Sequence, residues 1–184
     1  MLRFVEWTLA ACLLLACASS ASARDLKIAM DPDGSAFSVG GWARQVAGTG
    51  TIFYQCQQDS CGRGSTVSLR KQSPGGYTPE TLRLNEQRVA SILMSQFPGK
   101  VTRVDISPVK NRNDKTFRVS EVSRTIVAQP GVEIGMPLYW RSGFISTTAS
   151  AYTISSSAGS RKLADGNFAT FQVPLLLMMN LQSK

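Results

Sequence analysis

Through much of the chain apolar residues fall at every second position, and in two places the spacing changes to three and four. Residues 51–57 put Ile52, Tyr54 and Cys56 on one face, and residues 65–69 answer with Val67 and Leu69. This is the period of half-buried strands. Before them, residues 24–30 form a short leader and Asp31-Pro32-Asp33-Gly34 a turn. Residues 36–39 and 42–46 read as strands around Gly40-Gly41, and residues 72–77 as a loop. Farther on, residues 101–107 alternate with Val104 and Ile106 on one side, and residues 115–128 form a second extended run carrying Phe117 and Val119. The polar, charged stretch 110–115 between them has the composition of a hairpin tip. Residues 138–140, 143–147 and 151–155 read as further strands, and residues 155–160 as a flexible loop.

The first helical stretch opens at Thr78. Thr78 suits an N-cap, Pro79 the first helical position, and Glu80 the positive end of the helix dipole. Leu82, Val89, Ile92, Leu93 and Phe97 then share one face, and Pro98-Gly99 ends the element. The second opens near Asp165, with Phe168, Phe171, Leu175 and Met178 at helical spacing. Pro174 inside it either kinks or ends the helix, and a terminal strand from Leu175 competes. The pattern predicts an α+β fold, an antiparallel sheet covered by one mid-chain helix and a C-terminal helix.

The N-terminus is of another kind. Arg3 precedes an almost wholly apolar stretch from Trp7 to Cys17, followed by Ala21-Ser22-Ala23. A basic start, an apolar core of this length and an A-x-A site make an export signal, so residues 1–23 are expected to be removed and residues 24–184 to form a single extracytoplasmic domain. A rival cleavage is present. Leu14-Leu15-Ala16-Cys17 is similar to a lipoprotein box, which would lipidate Cys17 and tether the domain to a membrane. The expected place is the periplasm or outside the cell, with lipid anchoring as the alternative.

Export changes the meaning of the cysteines. Cys56 and Cys61 remain in the mature domain, in an oxidising compartment where thiols pair. They flank four residues at a hairpin tip, so a staple is expected. A redox pair would favour two intervening residues at a helix N-terminus. Two thiols in a chain without histidine make a poor metal site.

Charge narrows the function classes. The net charge is +8 and the isoelectric point near 9.7, which favours anionic partners. Without histidine the Ser-His-Asp and Cys-His arrangements are excluded. No Gly-x-Ser-x-Gly elbow occurs, and Asp31 and Asp33 belong to a turn. No catalytic residue and no cofactor is assigned. Two basic features stand as candidate anion or partner contacts. One is Arg63 in Gly62-Arg63-Gly64-Ser65, which otherwise turns the chain after the staple. The other is the set Lys110, Arg112, Lys115 and Arg118, which otherwise keeps a sheet edge from aggregating.

The order of elements resembles the Mog1/PsbP-like fold, which includes the bacterial DcrB-type exported proteins. The likeness rests on Phe37 with Trp42 in an opening hairpin, the helix from Pro79, and the strand around Tyr139 to Ile145. Tyr152-Thr153-Ile154-Ser155-Ser156-Ser157 followed by Asn167-Phe168-Ala169-Thr170-Phe171 completes it. Cys56, Cys61 and the Gly62-Arg63-Gly64-Ser65 loop depart from the family pattern. The resemblance implies non-enzymatic binding or assembly. The reading that follows is an exported binding or adaptor domain at the bacterial envelope, meeting an envelope component or protein partner through a basic surface. The alternatives are a secreted host-contact factor and a thiol-redox or hydrolytic enzyme. Nucleic acid is disfavoured as a partner by export.

Overall fold

The computed structural model describes residues 27–73, 78–113 and 117–181, with backbone alone at Lys110. The expected signal 1–23, Cys17 and Lys115 lie outside the described residues. The fold is α+β, as the pattern predicts. Nine strands are described, and seven of them form one antiparallel sheet. They are β1 (Ile28–Met30), β2 (Phe37–Val39), β3 (Trp42–Val46), β4 (Ile52–Cys56), β5 (Thr66–Gln72), β6 (Val101–Asn113), β7 (Arg118–Ala128), β8 (Tyr139–Ser146) and β9 (Ala151–Ala158). The large sheet has the order β3-β4-β5-β9-β8-β7-β6, and β1 pairs with β2 alongside it. Helix α1 (Pro79–Gln96) and helix α2 (Arg161–Leu181) complete the chain.

The pleat divides the large sheet into two faces. On one, Tyr54, Val67, Leu69, Val119, Ile145, Tyr152 and Ile154 meet Phe168, Phe171, Leu175, Met178 and Met179 of α2. The β1–β2 ribbon closes this core with Phe37 and Val39. On the other face α1 lies over β6, β7 and β8, where Leu82 meets Val122 and Phe144, and Leu93 meets Val101 and Ile126. Its reach toward the far strands ends near Ala151 of β9. Phe53, Gln55 and Arg70 there are exposed beside half-buried Thr66, Ser68, Thr153 and Ser155.

The helix starts follow their caps. The Thr81 amide donates to the Thr78 hydroxyl at 3.1 Å, with Pro79 in the first turn, as expected. Helix α2 begins at Arg161, four residues before the expected start near Asp165, because the Leu163 amide donates to the Ser160 hydroxyl at 3.3 Å. It runs through Pro174. Proline removes one helical hydrogen bond, but Pro174 is fully buried, and packing holds the helix where local chemistry alone would end it. The apolar run from Leu175 is therefore helix and not strand.

Other expectations are corrected by long-range pairing. The leader 24–30 contains β1, since Ile28 lies opposite Val39. Phe37 and Trp42 do not share a hairpin: β2 pairs with β1, and β3 pairs with β4. Strand β8 is one continuous element over the two short pieces expected. Residues 155–158 belong to β9 and are no flexible loop, because Ser157 lies between Thr66 and Trp140. Its hydroxyl is 2.7 Å from that of Thr66. Strand β6 runs past the expected residue 107 to Asn113, with register shifts near Val101 and Pro108.

Candidate functional site

The structure contains the expected staple. Cys56 and Cys61 are joined with Cα atoms 6.0 Å apart, Cys56 at the end of β4 and Cys61 in a single 3-10 turn. That turn brings the chain back through Gly62, whose φ is 74°. A Cβ there would stand 2.7 Å from Leu163 Cδ1 and 2.9 Å from Ser65 Oγ, so the position requires glycine. The Asn167 amide of α2 donates to the Cys61 carbonyl at 2.9 Å, which ties the staple to the helix. The glycines around Arg63 thus turn the chain, as their structural reading has it, and they also set Arg63 on a rim.

Beside that rim lies a groove of about 500 Å³. One wall is Arg63, Gly64 and Ser65, and the other is the loop 132–138 between β7 and β8. Ile134, Met136 and Leu138 give it an apolar floor, while Arg63 and Glu133 put opposite charges at its mouth. Both charged residues are exposed. Arg63 Nε is 3.3 Å from Asp59 Oδ1, and the two side chains are 69% and 90% exposed. Such an exposed pair is worth little, so an incoming anion can displace Asp59. The groove is largely open to solvent, and its lining is mostly apolar with a few polar groups.

Of the remaining basic candidates, Arg112 and Arg118 lie elsewhere. Arg118 pairs with Ser146 in register, and Ser146 with Ala151, so this end of the sheet is the one opposite Arg63. Arg112 lies opposite Val119, and Arg118 opposite Asn113. The pleat therefore sends Arg112 to the α2 face and Arg118 to the α1 face. The Arg112 guanidinium stands 5.9 Å over the Phe117 ring. Nothing in the alternation of residues 101–107 signals the register shift near Pro108 that sets this arrangement.

Two further polar clusters escaped the sequence reading. Glu86 of α1 and Arg124 of β7 form a buried ion pair, with the guanidinium 4.6 Å over the Trp140 ring. Burial pulls Arg124 below its ordinary value while Glu86 opposes that shift. On the other face Arg141 bonds Glu121 and reaches Asp165 of α2 at 3.4 Å, and Gln172 donates to Glu121 at 3.2 Å. Both clusters join a helix to the sheet, which gives them a structural task. The one available signal was Glu86 itself, sitting in the apolar row between Leu82 and Val89. Among the described residues no group of Cys, Asp and Glu gathers as metal ligands.

No protein-family model matches the chain, and no curated protein sequence does. The solution structure of cyanobacterial PsbP (CyanoP) from Synechocystis sp. PCC 6803 is similar, at a TM-score of 0.50 and 11% identity. The similarity covers 79% of this chain and 88% of that one. At this identity the likeness concerns backbone arrangement, so the chain is similar to cyanobacterial PsbP in fold, and in fold alone.

Proposed function

We propose that the chain is an exported, non-enzymatic binding or adaptor domain of the bacterial envelope. Residues 24–184 are its working part, in keeping with the DcrB-type proteins that the sequence resembles. Its seat for a partner is the groove beside Arg63. The observation that carries this reading is the groove itself: about 500 Å³, floored by Ile134, Met136 and Leu138, with an easily freed guanidinium at the mouth. That pairing suits an envelope molecule or protein segment with an apolar body and an anionic end. Arg112 and Arg118 act at a distance, since cations outside a seat mainly speed encounter, and the neighbouring Lys110 and Lys115 are proposed to share that part.

The two roles separate in a binding assay with purified, anionic envelope material. Arg63→Ser is expected to weaken attachment roughly tenfold, in keeping with one lost charge-assisted contact. The triple change Lys110→Ser, Arg112→Ser, Lys115→Ser is expected to slow association and flatten its salt dependence, with little effect on dissociation. Attachment indifferent to salt and to both sets of substitutions rules the reading out.

A further inference from the structure

The outward side of α2 carries what the sheet does not use. Residues 166–181 contain no charged side chain. The inward side is consumed by Phe168, Phe171, Leu175, Met178 and Met179. The opposite side still presents Val173, Leu177 and Leu181, exposed at 58%, 55% and 58%. These fall at four-residue steps and form one row, continued backward by exposed Ala169. Isolated apolar residues on a surface are ordinary; here they form one contiguous row, and the question is what it meets.

Two observations say what covers it. The first is charge. On the α2 side of the sheet, Lys71, Arg112, Arg161 and Lys162 are exposed. Among the described residues none of the four is in an ion pair. Of the acids on that side, Glu121 and Asp165 bond Arg141, Asp105 bonds Arg103 and Asp31 bonds Arg44, while Asp33 bonds Ser35. Lys71 and Lys162 carry exposed charge outside any ion pair, as do Arg112, stacked on Phe117, and Arg161, bonded to Thr125; an apolar row on this side, in a chain of net charge +8, complements an anionic surface. The second is size. Three half-exposed aliphatic side chains offer a few hundred Å² at most, far below the roughly 800 Å² per partner of a stable protein interface. A lipid surface needs no such area, because shallow insertion of an apolar face together with cationic contacts suffices. Nor does α2 cross: among the described residues no helix is long and apolar enough to span a membrane.

We propose that α2 rests on the surface of an anionic lipid bilayer. Val173, Leu177 and Leu181 enter the boundary between headgroups and acyl chains, and Lys71, Arg112, Arg161 and Lys162 lie against the headgroups. This surface is separate from the Arg63 groove and stands or falls without it.

The test is co-sedimentation of the protein, as purified from the producing cell, with lipid vesicles. Vesicles of phosphatidylcholine alone are compared with vesicles half of phosphatidylglycerol. The protein is expected to partition onto the anionic vesicles and not the neutral ones. The triple change Val173→Ser, Leu177→Ser, Leu181→Ser should weaken partition at least about tenfold, with an unchanged circular dichroism spectrum. Lys71→Ser and Arg112→Ser should each weaken it roughly fivefold. Equal binding to neutral vesicles, or binding that survives the triple change because residues 1–26 carry it, overturns the proposal. So does a dimer in sedimentation equilibrium that the triple change dissociates, since a second copy would then be the occupant.

Discussion

Tyr54 concentrates several interactions in one side chain. It is fully buried, stacks on Phe37 and touches Phe171, and its hydroxyl donates to the Phe37 carbonyl at 2.6 Å. Burial pushes its phenol up to about 12, with the nearby Arg44 charge opposing. A phenol held neutral by the fold contributes stability that is whole below pH 10. It is lost as pH rises to 12, in total on the order of 2–3 kcal/mol. Urea titrations at stepped alkaline pH should show that fall, and Tyr54→Phe should flatten it at a cost of about 1 kcal/mol near neutrality. Arg124 makes the reciprocal case for charge. Arg124→Leu strands buried Glu86 and is expected to cost roughly 3–5 kcal/mol, and the double change with Glu86→Leu should recover much of it. Neither dependence was visible in the sequence. The partners of Tyr54 and Glu86 are fixed by tertiary placement, and a carboxylate among apolar residues is mute until the opposing strand is known.

At the scale of elements, the reading of the sequence succeeded where local chemistry decides and failed where pairing decides. Thr78 and Pro79 announced α1, and the positions of Phe168, Phe171, Leu175 and Met178 announced the buried side of α2. The short N-terminal strand was missed, because three residues carry little pattern and β1 exists only through its pairing with β2. Serines 155–157 suggested a loop by composition, yet pairing on both sides makes them strand. Of the candidate site, the staple and Arg63 were legible as residues. The wall 132–138 that makes a groove of their surroundings was not, since its approach depends on strand order. Gly143 shows how closely α2 is set. A Cβ there would lie 2.6 Å from Phe168 Cζ. Gly143→Ala is expected to lower stability by about 1–3 kcal/mol, read as an earlier chemical denaturation midpoint with unchanged slope.

Among the described residues the seven-stranded sheet carries a core on each side. Strands β7 and β8 contribute to both cores through alternate residues, Val119 and Ile145 toward α2, Val122 and Phe144 toward α1. Losing either core removes the support of the other, so unfolding should be a single cooperative event. The chain supplies its own reporters. Trp42 packs against Phe171 at a centroid distance of 4.9 Å, and Trp140 belongs to the cluster with Leu93 and Ile126. With Trp7→Phe in place, Trp42→Phe leaves the fluorescence of the α1 side and Trp140→Phe that of the α2 side. Each variant's fluorescence transition should coincide with its own far-ultraviolet circular dichroism transition. A separation between the two signals would show that the cores melt independently.

The short reach of α1 has a consequence for how the protein tolerates crowding. The strands it leaves bare carry hydroxyls, amides and a guanidinium around Phe53, and each of these groups keeps water that a chance neighbour could not replace. Stripping that hydration without offering matched partners is unfavourable, so this wall repels casual stacking. Unspecific adhesion, for a molecule so made, is steered away from these bare strands.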